Sequence, residues 1–343
     1  MATTRAGEEH AGAPREPRFA YMLLTHKDPH HVEELAGRIL DLSPTGHVVV
    51  HHDLASEPLP WQGRPPERVH FVDRRQVLWG DWSIVDATLR MIRFAHDQLD
   101  ADWFVMLSGE HRPIVDLEQW EADTLTSDAD AFVEAEPLPV KLHFGRSNED
   151  ANRFLARCLH RWVTVNEPGL TVGQKGFAGL WRLSRYALPL GAIEYSHRRR
   201  AWFLGSPRQG RPRELTFYKG SQWIGFNSRS AEAILNTDRS VTEWFMQGHI
   251  PDETYLQTVL YNAPRLTVRS DLVTYVPEGP ERPTAARWMV LDRDDLETVW
   301  QSGAAFARKV DPDERPEVLK AIDDKVDRDR QIRHTASEGG PVP

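Results

Sequence analysis

Cysteine is almost absent from this 343-residue chain, Cys158 being the single one. No intrachain disulfide can form, and a cysteine-based zinc site is disfavoured. Lysine is also scarce, 7 residues against 35 arginines. Together with the abundant alanine, this bias reads as GC-rich coding and leads us to expect a bacterial, cytoplasmic protein. No apolar run approaches the roughly 18 residues that a membrane span needs. Residues 1–17 lack the apolar stretch of a secretory signal. Positive charge is in deficit: 42 Lys and Arg against 51 Asp and Glu give a formal net charge of −9. That argues against a nucleic-acid partner held by bulk charge. The Walker A, G-x-G-x-x-G and G-x-S-x-G signatures are missing, which weakens kinase, dehydrogenase and hydrolase readings. What remains is 40% hydrophobic and 27% charged, the composition of a globular protein long enough to bury a sizeable core.

Apolar periodicity organises the rest. Residues 1–17 read as a disordered tail. Phe19–Thr25 is an apolar run of strand length. Asp28-Pro29 opens a helix whose Val32, Leu35, Ile39 and Leu42 share a face, and His47–His51 is a second strand. This unit predicts parallel strands with a right-handed crossover. A proline-rich loop follows, with short extended pieces at Val69–Val72 and Gln76–Leu78. Further helices are expected at Ser83–Leu99, Leu117–Leu125, Ser230–Asn236, Asp252–Asn262 and Asp294–Ser302. Further strands are expected at Trp103–Leu107, Ala131–Glu134 and Gln222–Phe226. The fold class is therefore α/β, a doubly wound mixed sheet in a single large domain over 18–315, with a loop-rich variable region at about 138–217. Residues 316–343 read as a C-terminal helix followed by a disordered tail beyond about Ile332. Such sheets bind ligands at the carboxyl ends of their strands, here Thr25-His26, His52-Asp53 and Ser108-Gly109-Glu110.

Fifteen histidines raise a metal reading. His26, His30 and His31 lie near the first strand end, and His51, His52 and Asp53 near the second, all chemically able to ligate zinc or iron. No His-Glu-x-x-His or spaced Cys/His set accompanies them, so hydrogen-bonded loop histidines are the competing reading. Asp-x-Asp pairs at Asp100/Asp102, Asp128/Asp130 and Asp311/Asp313 could hold a divalent cation against a nucleotide diphosphate. The first two precede strands, on the wrong edge of the sheet, and the third falls in a C-terminal loop. Pro251-Asp252-Glu253 puts two carboxylates in the first turn of a helix. There Glu can serve as a general base toward a hydroxyl, or the pair can simply cap the helix. Phe306-Ala307-Arg308-Lys309 ends in two cations that could neutralise a departing diphosphate, or form a solvated charge pair. The Arg-dense stretch His197–Arg213 could hold an anionic acceptor or carrier phosphate, or lie in solvent.

Seven segments in order resemble the core-2/I-branching β-1,6-N-acetylglucosaminyltransferase family, glycosyltransferase family 14, which includes the peptide O-xylosyltransferases. They are Tyr21–His26, Val49–Asp53, Val77–Ser83, Phe104–Pro113, Tyr218–Trp223, Pro251–Glu253 and Phe306–Lys309. The resemblance spans about 20–312, with no match at about 138–215. It implies a GT-A-type, Rossmann-like fold. It also implies an inverting, metal-independent transfer of a sugar of GlcNAc or xylose type from a UDP-sugar to an acceptor hydroxyl, forming a β-linkage. Carried over by motif, Glu253 is the implied general base and Lys309 the main diphosphate partner, with Arg287 or Arg308 as a second. Gln222 and Trp223 would lie beside the sugar, and Thr25, His26 and Asp53 near the uridine. Glu110 would lie near the sugar hydroxyls and, with His111 and Asp252, toward the acceptor. No metal and no cofactor are expected beyond the UDP-sugar co-substrate, and the acceptor could be a glycan, a peptide or a natural product. One departure is clear: the family commonly has Asp after Ser-Gly-x, whereas this chain has Ser108-Gly109-Glu110-His111. Two rivals stand beside this reading. One is a non-catalytic nucleotide-sugar or carbohydrate-binding protein of the same fold, and the other a histidine-ligated metalloenzyme using His26, His51 and Asp53.

Overall fold

The computed structural model describes residues 15–59, 61, 65–143, 149–166, 184, 187–196, 199–212, 215–277 and 290–337. Its first half contains strands β1 (Phe19–Thr25), β2 (His47–His52), β3 (Val69–Phe71), β4 (Trp103–Ser108), β5 (His111–Pro113), β6 (Ala131–Phe132) and β7 (Ala135–Pro137). Between them run helices α1 (Pro29–Leu42), α2 (Ser83–Leu99) and α3 (Leu117–Thr126). The second half opens with α4 (Glu149–Leu159), then β8 (His160–Asn166), β9 (Ala192–Ser196), β10 (Ala201–Pro207), β11 (Tyr218–Gly220) and β12 (Gly225–Asn227). It closes with α5 (Ser228–Leu235), α6 (Arg239–Phe245), α7 (Tyr255–Asn262), β13 (Val268–Arg269), β14 (Thr274–Tyr275), α8 (Leu296–Gln301), β15 (Phe306–Arg308) and α9 (Pro316–Ser337).

Every residue of β1 and β4 is buried, which is why both read as continuous apolar runs rather than alternating ones. They form the centre of a seven-stranded sheet of order β13-β6-β12-β4-β1-β2-β3. β1 pairs in parallel with β2 and β4, and β2 with β3, while β12 runs antiparallel to β4 and β6. One face carries Met22, Phe104, Met106 and Phe226 against the α2 residues Met91 and Ile92. The other carries Phe19, Tyr21 and Leu23 against Leu35 and Ile39 of α1. The chain winds outward from β1 to β3, then returns to β4 on the opposite side of β1. The carboxyl ends of β1 and β4 therefore flank a topological switch point, where open α/β sheets bind ligands. Among the described residues no helix is long and apolar enough to cross a membrane.

Several expectations need correction. The middle region is not merely loops: α4 and a three-stranded antiparallel sheet of order β8-β10-β9 occupy it. Gln76–Leu78 forms no strand. The Val77 N–H instead donates to Asp53 Oδ1 at 3.1 Å, which ties the segment to the end of β2. The expected strand Gln222–Phe226 begins only at Gly225, because Ser221 Oγ accepts from the Trp223 N–H at 3.1 Å and turns the chain. The expected helix at Asp252 begins at Tyr255; Pro251–Glu253 is a separate 3-10 turn. α9 continues to Ser337, and Arg333 pairs there with Asp116 at 2.6 Å.

Candidate active site

β15 lies antiparallel to β5, with Arg308 opposite His111, and the Val310 N–H donates to Glu110 O at 2.9 Å. That pairing carries the end of Phe-Ala-Arg-Lys to the switch point. Gly109 lies in the bend after β4, where a Cβ would pack closely, 3.3 Å from Val32 Cγ2. Glu110 then gathers cations from two segments, the turn after β1 and the end of β15: Lys27 Nζ at 2.8 Å, Lys309 Nζ at 3.3 Å and Arg308 at 3.4 Å. Burial works to raise the Glu110 carboxyl. The Lys27 hydrogen bond and the charges of Lys309, Lys27 and Arg308 outweigh it and hold the group at about 2. His111 is buried, its Nδ1 accepting from the Ser108 N–H at 2.9 Å. Its ring meets Trp223 edge-on at 4.7 Å, and the Arg308 guanidinium lies 4.5 Å from the centre of that same indole. Burial, and then the Arg308 charge, keep His111 neutral.

The turn carrying Trp223 also reaches the carboxylates. β11 pairs with β7, and a Cβ on Gly220 would fall 2.2 Å from Glu134 O, so only glycine fits there. Gln257, fully buried on α7, donates from one amide nitrogen to Ser221 O at 2.7 Å and to Asp252 O at 3.1 Å. It thereby ties the Lys219–Trp223 turn to the Pro251–Glu253 turn. Glu253 is half-buried. Burial raises its carboxyl above the ordinary value, Arg157 and Lys219 oppose the rise, and Glu194 adds to it. Asp252 is pushed up to about 7 by burial and by the Glu253 charge. Two adjacent carboxyls with such different surroundings are suited to different protonation states. Behind them Arg157 and Glu194 form a two-pronged pair with bonds of 3.0 and 2.8 Å. The Arg157 carbonyl accepts from the His249 N–H at 3.1 Å, just before the Pro-Asp-Glu turn.

A cavity of about 250 Å³ opens at the ends of β1 and β2, lined by His26, Lys27, Asp28, Pro29, His52, Ser56 and Glu57. Thr25 stands at its back. Its hydroxyl bonds His52 Nδ1 at 2.8 Å, while His52 Nε2 donates to Glu57 O at 2.8 Å. Because a carbonyl can only accept, the proton sits on Nε2 and Thr25 is the donor to Nδ1. Asp53 is buried, and its Oδ1 accepts from the Ala55 and Val77 N–H groups, so it shapes the loop around the cavity. Gln222 is half-buried in the Trp223 turn. Arg287 and the His197-Arg198 and Arg213 parts of the Arg-dense stretch lie outside the described residues.

The sequence-derived residues thus separate into three connected groups: the cavity with Thr25 and His26, the cation cluster with Glu110, Arg308 and Lys309, and the carboxylates Asp252 and Glu253. Lys27, Lys219, Arg157 and Gln257 were not among them. Lys27 and Lys219 carried a signal, Lys27 directly following the segment Tyr21–His26 and Lys219 lying inside the segment Tyr218–Trp223. Arg157 and Gln257 carried none, since their partners are far away in sequence. In the first two Asp-x-Asp pairs one carboxylate is committed to structure: Asp102 binds Arg15 at the amino edge of the sheet, and Asp130 binds Arg229 and Asn227. Among the described residues no three His, Cys, Asp or Glu side chains group so as to hold a metal ion.

Among curated proteins none matches this chain. Similar solved structures include a provisionally assigned glucose-1-phosphate thymidylyltransferase from Bacillus anthracis in complex with sucrose. It has 10% identity, covers 73% of this chain and 85% of its own, and gives a TM-score of 0.35. HddC from Yersinia pseudotuberculosis matches at 11% identity, 63% and 79% coverage, and a TM-score of 0.28. The family model for the Core-2/I-Branching enzyme matches residues 19–156 and 172–313. That match covers most of the chain, including Glu110, Glu253 and Lys309, and the chain accordingly belongs to the Core-2/I-Branching enzyme family of glycosyltransferases.

Proposed function

We propose that the protein is an inverting glycosyltransferase that moves a sugar from a UDP-sugar to an acceptor hydroxyl without a metal ion. The observation that carries the reading is the Lys219–Trp223 turn. Gln257 ties one end of it to the Pro-Asp-Glu carboxylates, and Arg308 stacks on the indole at the other. In this reading Glu253 takes the proton of the acceptor hydroxyl as its oxygen attacks the anomeric carbon. The bond from that carbon to the diphosphate breaks on the opposite face, and its electron pair leaves with UDP. Lys309 and Arg308 stabilise the charge that develops there, supplying the role a divalent cation would otherwise fill. Trp223 offers an aromatic face to the sugar, and the cavity beside Thr25 and His26 suits the nucleoside. GlcNAc and xylose are the donor sugars to test first.

Two variants test the reading. Glu253→Gln is expected to lower transfer by about 10²-fold or more while UDP still binds, as for loss of a general base. Weakened UDP binding with turnover intact would overturn the assignment. Lys309→Ala should lose transfer that added magnesium does not restore. A wild-type enzyme that EDTA silences would rule out the metal-free mechanism.

A further inference from the structure

Glu110 stands where the proposed reaction needs an anion-binding site to be open. Its two carboxylate oxygens divide three cations between them: one takes Lys27, the other takes Lys309 and Arg308. A phosphate group presents oxygens with the same demand. Glu110, Arg308 and Lys309 are largely buried, with side chains 17%, 13% and 12% exposed, whereas Lys27 at 44% faces outward. Lys27 also lines the 250 Å³ cavity at the ends of β1 and β2. The cluster and the cavity are therefore continuous through this one side chain. Glu110 Oε1 takes Lys27, which also lies 3.4 Å from Asp28, and Oε2 takes Lys309 and Arg308. The diphosphate of a nucleotide sugar brings two negative charges and competes with the Glu110 carboxylate for the same three cations.

We propose that Lys27, Arg308 and Lys309 form one diphosphate-binding site that Glu110 occupies in the free protein, its carboxylate standing in for the ligand and exchanging with it. Lys27 is then a further donor-binding residue, the cation that meets the diphosphate on the cavity side. The inference rests on the reading of Lys309 as a diphosphate partner. It differs from the expectation that Glu110 serves sugar hydroxyls. On that expectation its removal would cost affinity for the sugar-bearing donor relative to UDP. On the exchange model its removal strengthens the affinity for sugar-free anions.

The test is calorimetric titration of inorganic pyrophosphate, UDP and uridine into the wild-type chain and the variants Glu110→Gln, Lys27→Met and Lys309→Met at low ionic strength. Glu110→Gln should tighten pyrophosphate and UDP by about tenfold, the effect of removing one charge a few ångströms away at an intermediate effective dielectric, and leave uridine unchanged. Lys27→Met should weaken pyrophosphate and UDP several-fold, and weaken uridine, whose cavity Lys27 also lines, by less. Unchanged or weaker pyrophosphate binding by Glu110→Gln, with Lys309→Met still impaired, would overturn the exchange and leave the donor reading standing. Lys309→Met binding UDP like the wild type would instead overturn the donor reading itself. If Glu110→Gln does not fold, Lys27→Met decides: a greater loss of affinity for pyrophosphate than for uridine supports the site, and no loss for pyrophosphate overturns it.

Discussion

Glu253 must be ionised to accept a proton, and its burial works against ionisation. Arg157 is the stronger opposing influence and Lys219 the weaker, while Glu194 pushes the other way. The cations thus keep a buried base usable without stripping it of basicity. Removing Arg157 alone would take the hydrogen-bonded partner from buried Glu194 and leave it only Arg153 at 3.8 Å and His249 at 3.7 Å, a change that destabilises for reasons unrelated to catalysis. The informative variant is the double one, Arg157→Met with Glu194→Gln. It removes the larger stabilising charge together with the smaller destabilising one, so the Glu253 carboxyl should rise further. A base with a raised value loses activity at a higher pH, and the acidic limb of the kcat/KM profile should move upward. A limb that stays put or moves down would remove Arg157 from the role of counter-ion. Arg157 had no legible signature beforehand. It is one of 35 arginines, and only the fold brings Glu194, 37 positions on, into a paired geometry with it.

Among elements, the link between the two short turns matters more than any single helix. Gln257 bonds both Ser221 O and Asp252 O from full burial. Gln257→Leu should leave both carbonyls without this donor, at about 1–3 kcal/mol, and lower kcat more than it raises the UDP Kd. A kcat within twofold of wild type at unchanged stability would show that the turns hold themselves. A second element-level contact joins β1 to α3: the Tyr21 hydroxyl donates to Glu121 at 2.5 Å, and the Ser43 hydroxyl also donates to that carboxylate. Burial still raises Glu121 from 4.5 to about 6. The folded state therefore holds a proton that the unfolded chain releases. This contribution is fully present below about pH 4.5 and is lost as pH rises through 6. Glu121→Gln, neutral throughout, should gain stability relative to wild type at pH 8 by up to about 2 kcal/mol, and gain less at pH 4.5. Thermal melts at the two pH values give the comparison, and an equal shift at both would refute it. The long buried elements were readable from apolar runs and helical spacing. The turns were not, because Ser221 and Gln257 act through hydrogen bonds to backbone that no periodicity records.

The whole molecule places its chemistry where winding order dictates, and that much follows from the sequence. Apolar β1, β2 and β4 with their intervening helices already imply a doubly wound sheet whose strand ends Thr25-His26 and Ser108-Gly109-Glu110 converge. What the sequence concealed is the support behind that edge. The family match ends at residue 313, yet α9 lies beyond it and grips the strand next to the cation cluster. Arg112 on β5 is 5% exposed and donates from Nε to Asp323 Oδ1 at 2.8 Å, while its other nitrogens reach Asp323 and Glu34. Arg38 of α1 joins the same helix through Asp327 at 2.7 Å. Because β5 is the strand on which Arg308 is registered, a loose α9 should be felt at the diphosphate site. Asp323→Ala leaves the Arg112 charge buried with fewer partners. Such a loss can reach about 3–5 kcal/mol, but Asp323 is 24% exposed and Glu34 remains, so about 2 kcal/mol is expected, with weaker pyrophosphate binding. Replacing both partners, Arg112→Met with Asp323→Leu, removes the unpaired charge and should restore most of the stability. If Asp323→Ala melts lower but binds pyrophosphate like the wild type, α9 stabilises the fold without positioning the site. If the double variant recovers both stability and binding, the helix acts on the cations through the placement of β5.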